Sequence, residues 1–356
     1  MTAQDLEAKT SPAVIDRRYS KRSYDGRSGT SKSMDANGHD NMGRMRPKRV
    51  VILVLGITIF GGFARGIART AQDTLKVSVD LVNVQFSVTD RRGRFVPGLT
   101  AQDFKVEEDG RRQEIRNFAR ENELPLTLAL LIDTSPSVRP VFDEEKLTAV
   151  AFLESILHKK DLALVIGFDR SVTMVQDYTD NMRSLKRAID ELEIGGGTSV
   201  YDAVYLASKE KLTEEAGRKA IILISDGEDT TSKLKFTEAL VAAHQSNSVI
   251  YAISNAVRGF FSYGRRGRAP INVGGGDLGT LKKFSEETGG TTFVVSNENN
   301  FKKIFDQIAQ ELRSQYSLGY ISLNTARDGK YRQVKITARE SSYNVKSRKG
   351  YYAPRS

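Results

Sequence analysis

A chain of 356 residues with 39% hydrophobic and 28% charged content is long enough for two domains with real cores. It has no cysteine, which excludes a disulfide framework and any thiolate metal site. The net charge of +10 raises the question of nucleic acid, but much of the surplus sits in an N-terminal tail and in a loop at 258–268, and neither shows a nucleic-acid-binding pattern; no nucleic-acid partner is expected.

Residues 1–44 are rich in Ser, Asp, Gly and Arg and lack periodic apolar positions, the composition of a disordered tail or of a mis-annotated extension. Residues 45–71 then run from Arg46-Pro47-Lys48-Arg49 through an apolar stretch at 50–64 to the small residues Gly66, Ala68 and Ala71. That is the order of a signal peptide, and the stretch is short for a membrane span of roughly 20 residues. Its distance from residue 1 is explained if translation starts at Met45 or Met42. The alternative is a signal anchor. Both readings predict an exported chain, periplasmic, cell-surface or secreted, with membrane contact only through 50–64 if that segment is uncleaved.

Residues 75–122 alternate apolar and polar positions between turn signals. Val82, Val84, Phe86 and Val88 precede Asp90-Arg91-Arg92-Gly93, a short run follows at 95–99, and Phe104 to Glu108 leads into Asp109-Gly110. Residues 313–356 mirror this with alternating runs at 316–323 and 331–338 around Asp328-Gly329. Neither piece has enough strands for a stable sandwich alone, so the two are expected to pack together as one small β-sandwich module.

Between them, 124–312 alternates strand and helix. Continuously apolar strands are predicted at 126–132, 162–168, 220–225, 248–254 and 292–295, with 173–178 as an antiparallel edge. Helices are predicted at 143–158, 181–192, 199–211, 236–245, 278–288 and 301–315, with Asp180 as N-cap of the second and Gly289-Gly290 ending the fifth. The expected fold is α/β: a doubly wound, mostly parallel sheet, inserted in or flanked by the β module, with its ligand beyond the carboxyl ends of the strands.

Three segments fall at those ends: Asp133-Thr134-Ser135-Pro136-Ser137, Gly195-Gly196-Gly197-Thr198-Ser199 and Ser225-Asp226-Gly227-Glu228-Asp229. Carboxylates and hydroxyls with no Cys or His nearby form the ligand set of a hard divalent cation. His158 and His244 fall in or beside predicted helices and read as structural. Glu228 and Asp229 read as solvated loop charges.

The Asp-x-Ser-x-Ser, Thr and Asp elements, in this order on this predicted fold, resemble the von Willebrand factor type A domain family and its metal-ion-dependent adhesion site. The flanking segments Asp103 to Gly110 and Tyr316-Ser317-Leu318-Gly319-Tyr320 further resemble a group of bacterial, notably acidobacterial, proteins in which such a domain is embedded. The resemblance implies that Ser135, Ser137 and Thr198 coordinate the cation directly, and that Asp133 and Asp226 act mainly through waters. The cation would be Mg²⁺, or Mn²⁺ or Ca²⁺, and an Asp or Glu of a protein partner would complete its coordination. The resulting expectation is a non-enzymatic, adhesion-type binding module. A scaffold with a stabilising or lapsed metal site is the alternative. A Mg²⁺-dependent phosphatase is disfavoured, because position 135 is Ser where such an enzyme needs a second carboxylate.

Overall fold

The computed structural model describes residues 81–120, 124–256 and 276–355. The predicted tail, the signal segment and the arginine-rich loop at 258–268 lie outside the described residues. Among the described residues no helix is long and apolar enough to cross a membrane.

In chain order the first strands are β1 (Leu81–Thr89), β2 (Phe104–Glu108), β3 (Arg111–Gln113) and β4 (Ile115–Arg120). The middle of the chain comprises β5 (Leu126–Asp133), α1 (Phe142–Ile156), β6 (Leu162–Phe168), β7 (Val172–Thr179), α2 (Met182–Asp190), α3 (Val200–Tyr205), β8 (Arg218–Ser225), α4 (Phe236–Ser246), β9 (Val249–Ser254), α5 (Leu278–Thr288), β10 (Thr292–Val294) and α6 (Phe301–Arg313). The last strands are β11 (Tyr316–Ile321), β12 (Tyr331–Ala338), β13 (Asn344–Ser347) and β14 (Gly350–Tyr352).

The central sheet has the order β10-β9-β8-β5-β6-β7, parallel throughout except at the antiparallel edge strand β7. Every residue of β5 and β8 is buried, as expected of parallel strands covered on both faces. Strand alternation divides their side chains between two cores. Leu128, Leu130 and Ile132 pack with α1, α2 and α6, while Ala129 and Leu131 pack with α3, α4 and α5.

The outer strands form two further sheets, β13-β1-β11-β4 and β14-β12-β2-β3. Each contains strands from both ends of the described chain: β1 pairs with β11 and β13, and β2 pairs with β12. Their inner faces share a core that includes Val84, Phe86, Phe104, Val106, Tyr316, Leu318 and Tyr320. The fold is therefore an α/β domain inserted into a β-sandwich, as the sequence pattern predicts. On β1 the alternation has two uses. Val82, Val84, Phe86 and Val88 face the sandwich core, whereas Ser87 on the other face donates to Glu311 of α6 at 3.1 Å.

Three local expectations are corrected. Residues 95–99 form no strand; Phe95 makes only an isolated bridge to Thr89, and Pro97 lacks the N–H a ladder needs. The predicted helix at 199–211 is α3 followed by a widened π turn from Leu206 to Lys211, a change the order of polar and apolar residues does not register. The N-cap of α2 is Asn181 rather than Asp180, because the Asn181 side chain accepts from the backbone N–H groups of Arg183 (3.0 Å) and Ser184 (3.3 Å). Asn181→Ala is accordingly expected to lower stability by about 1 kcal/mol and Asp180→Ala by under about 0.5 kcal/mol, read from urea midpoints. Equal losses in the two variants would contradict the assignment of the cap.

Candidate metal centre

The carboxyl ends of β5 and β8 lie side by side, and the chain must turn sharply at both. Asp133 is the last residue of β5 and is fully buried; Thr134 and Ser135 follow, also buried, and Ser137 is exposed in a short 3-10 turn. Asp226 directly follows β8 and is buried. Thr198, buried, lies two residues before α3.

Hydrogen bonds tie the three segments into a closed set. Ser225 donates through Oγ to Asp133 Oδ2 at 2.6 Å, joining the first segment to the third. The Gly195 N–H donates to the Thr134 carbonyl at 2.8 Å, joining the first to the second. The N–H groups of Thr230 and Thr231 donate to the Thr198 carbonyl at 2.9 and 3.0 Å, and the Thr198 N–H donates to Thr230 Oγ1 at 2.9 Å, joining the second to the residues directly after the third. Within the first segment the Ser135 N–H donates to Asp133 Oδ1 at 2.8 Å, and the hydroxyls of Ser135 and Ser137 lie 2.9 Å apart. The structure thus brings the loops that carry all five predicted residues together.

Glycine suits the second segment at two of its three positions. A Cβ on Gly195 would lie 1.6 Å from Asp169 Oδ2, and Gly197 has φ +77°, a backbone conformation that disfavours other residues.

The electrostatics suit a cation. Burial pushes the Asp133 carboxyl up to about 6 against the hydrogen bonds from Ser225 and Ser135, and the nearby Asp226 charge raises it further. No hydrogen bond or ion pair from Lys or Arg reaches Asp133 or Asp226 among the described residues. Asp133 and Asp226 are both buried, and carboxylate and hydroxyl oxygens are the ligand types a hard divalent ion takes. Among the described residues no group of three or more His, Cys, Asp or Glu is placed to hold a metal, so any ion here depends on the Ser and Thr oxygens.

Several residues around the site escaped the sequence reading. Ser225 stands in the quoted motif, but its hold on Asp133 is visible only in three dimensions. Asp229 is no solvated loop charge: it is half-buried, accepts from the Tyr201 N–H at the start of α3 (3.1 Å) and from Ser232 Oγ (2.6 Å), and so orders the third segment; Glu228 is exposed as expected. Behind the site, Glu145 of α1 is fully buried and accepts from Asn255 Nδ2 at 2.9 Å. Its available signal was a carboxylate on the helix face that also carries Phe142, Ala149, Phe152 and Ile156. Burial, augmented by the Asp133 charge, pushes the Glu145 carboxyl up to about 8.

Comparison with known proteins finds similarity over about half of the chain. A UPF0353 protein from Mycolicibacterium gilvum (strain PYR-GCK) is 24% identical over 219 residues, which cover 54% of this chain and 64% of that protein; the chain thus spans less than two thirds of this curated relative. Among solved structures, an aerotolerance-related membrane protein from Bacteroides fragilis NCTC 9343 aligns with a TM-score of 0.43 at 18% identity, covering 52% of this chain and 98% of its own. Proximal thread matrix protein 1 from the mussel byssus, solved with a zinc-occupied MIDAS motif, aligns with a TM-score of 0.43 at 17% identity, covering 56% of this chain and 48% of its own. The family model for the von Willebrand factor type A domain matches residues 127–307, from β5 into α6. By its matched span and by the α/β fold of that span, the chain belongs to the von Willebrand factor type A domain family.

Proposed function

We propose that the chain is an exported, metal-ion-dependent protein-binding module. The observation that carries this reading is the hydrogen-bonded convergence of the three loops bearing Asp133, Ser135, Ser137, Thr198 and Asp226 at the carboxyl ends of β5 and β8. Ser135, Ser137 and Thr198 would hold the ion through neutral oxygens, with Asp133 and Asp226 as outer carboxylates. A bound Mg²⁺, Mn²⁺ or Ca²⁺ would supply an electrophilic centre for one carboxylate oxygen of a partner. The chain's own part is to orient the hydroxyls and to balance the charge. Ser137, exposed at the rim, leaves the site open toward a partner's Asp or Glu.

A binding role is favoured over an enzymatic one by the residues present. Position 135 is a serine, and no histidine enters the hydrogen bonds of the three segments among the described residues. His244 lies in α4 against Tyr331 and Tyr352 of the sandwich. Export rests on the signal-like segment 45–71.

The test is calorimetric titration of Mg²⁺, Mn²⁺ and Ca²⁺ into the full chain. Saturable binding to one site is expected, weakened at least ~10-fold in Asp133→Ala and in Ser135→Ala, and accompanied by a rise in melting temperature on loading. Absence of binding to the wild type, or undiminished binding in two folded variants, would replace this reading with that of a scaffold whose metal site has lapsed.

A further inference from the structure

At the other end of the central sheet, a cavity of 220 Å³ lies between the start of β8, the end of α4 and the outer face of β1. From Lys219 to Ser225 the strand runs about 20 Å at ~3.3 Å per residue, so this cavity is separate from the candidate metal centre.

Its walls carry two buried cations. Lys219 is 8% exposed, and its ammonium makes no hydrogen bond or ion pair among the described residues; burial lowers its pKa, and the charge of Glu215, on the cavity wall, opposes that. Arg348, also 8% exposed, reaches Asn247 Oδ1 through Nη1 and donates through Nη2 to the Asn83 carbonyl at 2.7 Å, but its buried Nε has no partner. Burial draws its pKa down to about 10, which leaves it charged at neutral pH. His244, 4% exposed, adds no third charge: burial and then Arg348 push it down to about 4. A ring N–H of His244 is directed at the Gly350 backbone, and Nδ1 has no partner.

Against the two cations stand Glu215 and the partial negative charge of the carbonyl end of α4. A largely buried lysine whose ammonium has no hydrogen-bond acceptor, lining a polar cavity beside a buried guanidinium, amounts to a site short of one counter-ion. We propose that this cavity binds a small oxyanion, a carboxylate or a phosphate, held by the Lys219 ammonium with the Arg348 guanidinium as its second positive wall. His244 is neutral and its Nδ1 is buried, so its ring adds neither charge nor an accessible acceptor to the wall.

The experiment is calorimetric titration of sodium phosphate and of sodium acetate into the full chain at pH 7 and constant ionic strength. Saturable binding of at least one anion is expected; tighter phosphate identifies phosphates as the ligand class, and tighter acetate the carboxylates. Lys219→Met should weaken binding at least ~10-fold, and Glu215→Gln, which removes the competing negative charge, should tighten it several-fold. No saturable binding of either anion overturns the proposal, as does an affinity unmoved by both substitutions. If circular dichroism shows that Lys219→Met does not fold, Glu215→Gln decides alone, an unchanged affinity again counting against the site.

Discussion

Glu108→Ala is expected to destabilise the protein by about 3–5 kcal/mol, read as a lower urea midpoint with an unchanged slope. Glu108 closes β2 and is almost wholly buried. Its Oε2 accepts from Tyr320 and Tyr351, each at 2.9 Å, its Oε1 accepts from Ser322 at 2.5 Å, and Arg332 lies 3.5 Å away, equally buried. Removing the carboxylate strands the Arg332 charge and deprives two buried tyrosine hydroxyls of their acceptor. That penalty exceeds the net value of the pair when intact. Glu108→Gln keeps an acceptor but not the charge and should fall between wild type and Ala. The four partners belong to the C-terminal strands and their connection while Glu108 belongs to the N-terminal ones, so this hub joins the two halves of the sandwich across the inserted domain. A loss below about 1 kcal/mol in Glu108→Ala would mean that water replaces the carboxylate and that the hub contributes little.

The second large effect has the opposite sign. Glu145→Gln should stabilise the protein by about 3 kcal/mol at pH 7 in the presence of EDTA. In the folded protein burial lifts this carboxyl from 4.5 to about 8, so the native state holds its proton more tightly than the unfolded chain does. The associated stability is complete below about pH 4.5 and drains away as pH rises toward 8. Asp133, raised from 3.8 to about 6, acts in the same direction over a lower window. Wild-type stability should therefore fall between pH 6 and 8, where Glu145 dominates. The Gln variant should flatten that part of the profile, since its amide oxygen can still accept from Asn255. Chemical denaturation across pH 5–9 measures this, and an unchanged slope between pH 6 and 8 would remove Glu145 as its source.

Local pattern carried most of the architecture. The predicted spans 162–168 and 278–288 coincide with β6 and α5, because a strand buried on both faces and a helix that ends at a left-handed Gly289 each leave marks within a few neighbouring residues. The alternation in β1 and β12 likewise shows through the sequence, since one face of each is buried in the sandwich. The order of Asp133, Thr198 and Asp226 against those elements was enough to locate a candidate site. What the sequence could not contain was which distant side chains would support it. Ser225 holds Asp133 across 92 residues of chain and Asn255 meets Glu145 across 110, and neither distance has a periodic signature. The same holds for Asp229, whose role depends on where α3 begins, and for the seam where Lys219, His244 and Arg348 share one cavity. Pattern reports a residue's local environment through burial and turn geometry. Partnership between segments is set by the packing of sheets and helices against one another, and only the tertiary structure decided it.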